Sequence, residues 1–335
     1  MSLLIRGRLQ GDWLSEETRD GEFERQDSRF RHWITPDGAP GPTGEGGFPA
    51  EPGRYHLYVS LACPWAHRTL ILRALKGLED LIGVSVVHPV MPDTGWHFGA
   101  YPGATGDRVN GFEHLHQVYT LADPQYTGIV TVPVLWDTQR RTIVNNESAD
   151  IVRMFNGAFD AFTDRRTDFY PPDLRPAIDA INARVYEDVN NGVYRAGFAT
   201  TQRAYEAACR RLFTALDDLE ARLARQPWLV GEVLTEADWR LLTTLVRFDA
   251  VYHGHFKCNL RRLVDYPNLW AYTRALYQIP GVAATVHLDH IKTHYYGSHR
   301  HLNPSGIIPL GPELDFTSPH GRETPPGARS AAPPS

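Results

Sequence analysis

Cysteine is scarce in this sequence: Cys63, Cys209 and Cys258 are the only three among 335 residues. An odd, sparse count argues against a disulfide framework and suits a reducing compartment with working thiols. No apolar run approaches the length of a membrane span, and the opening Met-Ser-Leu-Leu-Ile-Arg-Gly-Arg lacks a signal-peptide core. The expected location is the cytosol. Basic charge is not in excess either. A net charge of −5 gives no argument for nucleic acid or an anionic membrane as partner. What remains is a soluble globular mixture, 42% hydrophobic and 22% charged, long enough for two domains with cores of their own.

One stretch organises the rest: Leu57-Tyr58-Val59-Ser60-Leu61-Ala62-Cys63-Pro64-Trp65-Ala66-His67-Arg68, continuing through Leu70, Ile71, Leu72 and Leu75. It reads as a buried strand, a tight turn and a helix with proline at its first position, where a missing N–H costs nothing. Cys63 then sits at the helix mouth, where unpaired N–H groups and the dipole favour a thiolate, the nucleophilic form. The second sulfur of a C-x-x-C motif is missing, because position 66 is alanine. A lone attacking cysteine calls for a second thiol from a small molecule. The plainer alternative is a buried structural cysteine that precedes a helix.

In chain order, residues 1–53 read as an irregular extension, anchored by Trp13, Phe23, Phe30 and Trp33. Residues 54–157 alternate as a small α/β domain. Strands are expected at Tyr55–Val59 and Val84–His88, parallel and joined by a right-handed crossover. An inserted loop, 89–127, holds a weak helical patch and carries Trp96. Val130–Trp136 and Thr142–Asn145 read as an antiparallel hairpin. The helix Ser148–Phe155 opens at Asn146-Glu147-Ser148 and offers a second N-terminus suited to a carboxylate.

A linker, 158–173, leads to an all-helical domain, 174–312. Ile178, Ile181, Val185 and Val189 mark one amphipathic helix there, and Tyr205, Ala208, Leu212, Leu216, Leu219 and Leu223 a longer one. Thr235 caps a third, with Asp238 reaching back, and Asn268–Ile279 is a further helix. Residues 313–335, rich in Pro and Ser, read as a disordered tail. His287, His290, His294, His299 and His301 do not have a common zinc spacing, so no metal is expected. Most of the helical tyrosines read as core.

Strand–Cys-Pro-x-x–helix, Val-Pro before a hairpin and Glu-Ser opening a helix resemble the glutathione-binding domain of glutathione transferases. Longer strings resemble one subgroup, the glutathionyl-hydroquinone reductases or xi class. They are Cys63-Pro64-Trp65-Ala66-His67-Arg68, Val130-Thr131-Val132-Pro133-Val134-Leu135-Trp136-Asp137, Asn145-Asn146-Glu147-Ser148 and His294-Tyr295-Tyr296-Gly297-Ser298-His299 with Asn303-Pro304-Ser305-Gly306. The resemblance covers essentially residues 10–312. It implies a thioredoxin-like α/β N-terminal domain plus an all-α C-terminal domain, glutathione as co-substrate, glutathionylated hydroquinones as substrates, and a homodimer.

The resemblance also implies roles for particular residues. Cys63 attacks the glutathione sulfur, and Tyr194 and Tyr295 are the phenols that face it. Trp96, Val132, Glu147 and Ser148 hold glutathione; Tyr252 and Tyr296 are further candidates for the substrate pocket. If 295–296 is extended, those two side chains point opposite ways. Family members typically carry arginine where this chain has Ile129, which removes one expected contact to a glutathione carboxylate. Other readings are an omega-like thiol transferase or dehydroascorbate reductase, an aromatic-ether cleaver, and a non-enzymatic interaction module. Cys63 at a helix mouth argues against the last.

Overall fold

Tyr55–Val59 (β1) is buried along its whole length, as a central strand covered on both faces must be. The helix Pro64–Leu75 (α1) carries the chain to a parallel neighbour, Ile82–Val86 (β2), paired in register from Tyr55↔Ile82 to Val59↔Val86. The second strand begins two residues before the expected Val84. The computed structural model describes residues 2–10, 18–43 and 46–322, so Trp13 lies outside the described residues. The chain divides into two units, the first made of residues 1–19, 24–167 and 287–308.

Within the first unit, the loop after β2 holds a helix at Leu115–Ala122 (α2), capped by His114 and Gln117. The expected single run Val130–Trp136 is divided. Gly128–Val130 pairs with Ser2–Leu4 of the N-terminal arm, and Val134–Asp137 (β3) pairs antiparallel with β1. Pro133 stands at the break, where a residue without an N–H cannot serve a ladder. Thr142–Asn145 (β4) completes the hairpin, and the four-stranded sheet has the order β4-β3-β1-β2. The helix Ser148–Gly157 (α3) packs against α1. The arm is less irregular than expected: Trp33–Thr35 also pairs with Gly47–Pro49, and the Phe30 ring stacks on Tyr126 at 5.5 Å.

Two buried polar pairs fasten the sheet. Arg54 and Asp137 form an ion pair at 2.5 Å, with the aspartate fully buried. Losing one partner of such a pair typically costs about 3–5 kcal/mol. His56 on β1 meets the Ser85 hydroxyl at 2.7 Å, and burial lowers its pKa to about 4. A histidine depressed in this way stabilises the fold fully above its ordinary value of about 6.5, and that contribution is lost as pH falls through about 4. The wild-type melting temperature is therefore expected to fall between pH 6.5 and 4, with a loss of about 3 kcal/mol from this residue. Thermal melts of His56→Gln across that range should show a shallower slope. An equal slope would remove His56 from the account.

The second unit comprises residues 20–23, 168–286 and 309–335. Apart from the short strand Glu22–Phe23, its regular elements are helical, chiefly Arg175–Arg184 (α4), Gly192–Gly197 (α5), Gln202–Leu223 (α6), Glu236–Arg247 (α7) and Pro267–Tyr277 (α8). The helix expected to continue through Val185 and Val189 widens instead into a π segment, Val185–Asn190, and a second, Phe248–Tyr252, follows α7. At the start of α7, Asp238 Oδ2 takes the Thr235 N–H at 2.8 Å. Its Oδ1 takes the Leu229 N–H and the Tyr272 hydroxyl. Aspartate thus closes the box here and also ties α8 to it.

The expectation of disorder from residue 313 requires a correction as far as residue 322. Phe316 is buried, 5.3 Å from the Trp270 ring and 5.0 Å from the Tyr277 ring. Arg322 donates to the Leu223, Gln226 and Pro227 carbonyls. One aromatic and one arginine supply the apolar burial and hydrogen bonds that the Pro/Ser composition hides. Residues 323–335 lie outside the described residues.

The last helix, Leu288–Ser298 (α9), was expected in the helical domain but clusters with the first unit. Its polar side chains bond the loop after β2, which draws it there. No helix among the described residues is long and apolar enough to cross a membrane.

Candidate active site

Cys63 caps α1 with an extended backbone (φ −75°, ψ 123°), and Pro64 opens the helix. Its carbonyl takes the His67 N–H at 3.0 Å, and its own N–H bonds the Ser60 carbonyl at 3.2 Å. The first turn of α1 contains no acidic side chain, so no carboxylate in that turn opposes negative charge at the positive end of the helix. The thiol donates to the Val132 carbonyl at 3.5 Å, and Cys63 is only 9% exposed. Val132 precedes Pro133 through a cis peptide bond. Strand, turn and helix thus bring Cys63 and Val132 together from 69 positions apart in sequence.

The string Asn145-Asn146-Glu147-Ser148 builds the start of α3. Glu147 is the N-cap: its Oε1 accepts the Ala149 N–H at 3.0 Å, and its Oε2 accepts the Ser28 hydroxyl at 3.1 Å. Asn145 accepts the Glu147 N–H at 2.7 Å and donates to the His32 carbonyl and to Asp150. Asn146 donates to the Tyr119 hydroxyl, which itself donates to the Thr131 carbonyl at 2.8 Å. Asn146 therefore links the helix start to the loop before Pro133, and Asn145 links it to the arm at His32. Ser148 is buried, and its hydroxyl accepts from Arg68 at 3.4 Å.

Trp65, in the first turn of α1, is flanked by two guanidinium groups, Arg25 at 4.9 Å and Arg68 at 4.6 Å from the ring centre. Position 129 holds no cation. Ile129 is buried in the strand that pairs with Leu3, and its carbonyl accepts the Tyr126 hydroxyl.

Trp96 is 4% exposed and stacks on His294 of α9, with ring centres 4.8 Å apart. Tyr295 and Tyr296 lie in that helix, not in an extended segment, so they sit about 100° apart around its axis rather than on opposite faces. Tyr295 is 1% exposed; Tyr296 is half-buried. Tyr194 and Tyr252 belong to the second unit. Their rings lie 6.1 Å apart, and Tyr194 also packs on Phe23, Phe198 and Phe256. Each of these two tyrosines lies at or just past the end of a π segment, a feature frequent at functional sites. Among the described residues, no group of three or more His, Cys, Asp or Glu side chains could hold a metal ion.

Sequence reasoning missed the part the arm takes in this site. Ser28 reaches Glu147, the Phe30 N–H donates to the Asn146 side-chain oxygen while its carbonyl accepts the Asn146 N–H, and Arg31 pairs with Asp150 at 2.5 Å. The only sequence signal was the spacing of Phe30 and Trp33 among charges.

A cysteine at the mouth of α1, a proline turn facing it and a Glu-Ser start to α3 on a β4-β3-β1-β2 sheet define a glutathione transferase. The glutathione S-transferase N-terminal domain family matches residues 62–158, and the C-terminal domain family matches residues 202–275. Glutathionyl-hydroquinone reductase YqjG of Escherichia coli (strain K12) is 56% identical over 324 residues, which cover 96% of this chain and 99% of that protein. The glutathione-bound structure of YqjG aligns with a TM-score of 0.88 at 55% identity, over 96% of this chain and 98% of that one. Glutathionyl-hydroquinone reductase PcpF of Sphingobium chlorophenolicum is 54% identical over 312 residues, 93% of this chain and 96% of PcpF. A xi-class glutathione transferase structure from Natrialba magadii has a TM-score of 0.88 at 49% identity, over 96% of each chain. The chain belongs to the glutathionyl-hydroquinone reductases, the xi class of the glutathione transferases.

Proposed function

We propose that this enzyme removes glutathione from glutathionyl-hydroquinones at the expense of a second glutathione, with Cys63 as the nucleophile. The observation that carries the assignment to Cys63 is its place as N-cap of α1 with no sulfur at position 66. In the first half-reaction the Cys63 thiolate attacks the glutathione sulfur. A Cys63–glutathione disulfide forms, the carbon–sulfur bond breaks, and the ring carbon keeps the electron pair and takes a proton. In the second, a glutathione thiolate attacks that disulfide. Glutathione disulfide leaves and the Cys63 thiolate is restored. The sum is one thioether and one thiol converted to one hydroquinone and one disulfide.

Glutathione lies along the main chain of Val132, with its charged end at the α3 start by Glu147 and Ser148 and with Trp96 against its length. An electron-rich ring carbon is a poor leaving group, so a general acid is needed. Tyr295 supplies that proton, with Tyr194 as the second phenol of the resemblance. The cytosol suits this chemistry, because glutathione is abundant there and keeps thiols reduced.

Intact-mass measurement after exposure to glutathione disulfide at neutral pH tests the assignment. One adduct at Cys63 is expected. Cys209 and Cys258 are both buried, and burial pushes their thiols up, Cys258 well above the ordinary range, so both should remain inert. Adducts on either, with Cys63 unmodified, would overturn the reading.

A further inference from the structure

The segment from Pro89 to Ala104 contains no helix or strand beyond a single bridge at His97, yet it is held closely. Its partner is one face of α9. His290 Nε2 donates to the Pro102 carbonyl at 2.6 Å. The Thr293 hydroxyl meets the Tyr101 hydroxyl at 3.1 Å, and His294 Nδ1 donates to the Pro89 carbonyl at 2.8 Å. Ser298 accepts the Met91 N–H at 2.9 Å. Positions 290, 293, 294 and 298 share a face at three-and-four spacing.

Two rings reinforce the contact: Tyr101 lies edge-on to His290 at 5.1 Å, and Trp96 stacks on His294. The approach is close enough to restrict the chain. Gly103 has φ +85°, and a Cβ there would stand 2.8 Å from His290 Nε2. His290 is 1% exposed, so this bond is shielded from water.

The face that meets the segment fixes the rotation of α9 about its axis, and so where the neighbouring Tyr295 points. A general acid works only within about 2.6–3.2 Å of the atom it protonates, and a misplacement of about 1 Å can cost about 10²-fold. We propose that His290, with Thr293, is a positioning residue: by locking α9 onto the 89–104 segment it aims Tyr295 at the leaving ring. The inference rests on the reading of Tyr295 as the proton donor.

The test compares His290→Ala, His290→Gln, Thr293→Val and Tyr295→Phe in the full-length enzyme. Hydroquinone release is followed in a single turnover, and reduction of the pre-formed Cys63–glutathione disulfide is followed separately. His290→Ala is expected to slow hydroquinone release about 10²-fold and leave disulfide reduction unchanged. Thr293→Val should have a smaller effect on the same step. His290→Gln keeps a donor for the Pro102 carbonyl and should recover most of the rate. In a Tyr295→Phe background, His290→Ala should add little. If both half-reactions fall together in His290→Ala, or if neither falls while Tyr295→Phe alone is slow, the positioning role is overturned. If Tyr295→Phe releases hydroquinone at the wild-type rate, the acid assignment itself fails, and the inference with it.

Discussion

Cys63→Ala is expected to lose hydroquinone release by about 10⁴-fold or more while remaining folded, because removal of a covalent nucleophile has effects of that order. Position 66 is alanine, so no adjacent thiol can substitute. Cys209 and Cys258 are 4% and 0% exposed, and burial raises both thiols. The loss of one small buried sulfur should scarcely move the melting temperature, and a thermal melt beside the kinetics checks this. The decisive control replaces Cys209 and Cys258 together and keeps Cys63. That enzyme should turn over normally, whereas measurable turnover by Cys63→Ala alone would sink the nucleophile assignment.

Tyr295→Phe is the second large change. Loss of a general acid commonly costs about 10²–10⁴-fold, far beyond the effect of deleting one oxygen from a wall. Only the first half-reaction should respond, since the second expels a thiolate that needs no proton. Tyr296 is the comparison: it is half-buried in the same helix, and its carbonyl accepts from Asn303 at 2.8 Å. Tyr296→Phe should be nearly silent. The reverse pattern would make Tyr296 the donor, and silence from both would move the proton to Tyr194, a histidine or water. Tyr194→Phe in the same assay separates the first of these from the rest.

Elements whose signal is local are legible in the amino-acid sequence. The strand–Cys-Pro–helix unit needs only an apolar run, a proline at N1 and the helical spacing of Ile71, Leu72 and Leu75. The hairpin needs two apolar runs and a polar turn. The cap of α7 is legible from Thr235 and Asp238 alone. Misreadings arise where long-range contacts decide. Pro133 divides a run that looks continuous, because the residues before it pair with the arm at Ser2–Leu4 and those after it with β1. Two helices widen into π segments that no residue pattern announces. Phe316 and Arg322 hold a stretch whose composition reads as disordered.

The sequence by itself determined the chemistry available: one thiol at a helix mouth, a Val-Pro turn and a Glu-Ser helix start, each written in adjacent residues. Only the tertiary structure decided how those pieces are held. Ser28 on Glu147, Asn146 on Tyr119 and His290 on Pro102 join positions 119, 27 and 188 residues apart. Helix periodicity and turn propensity act over a few residues and carry no information at such separations. Contacts of that range depend on the packing of the whole unit, which places α9 on the 89–104 segment and turns Tyr295 inward.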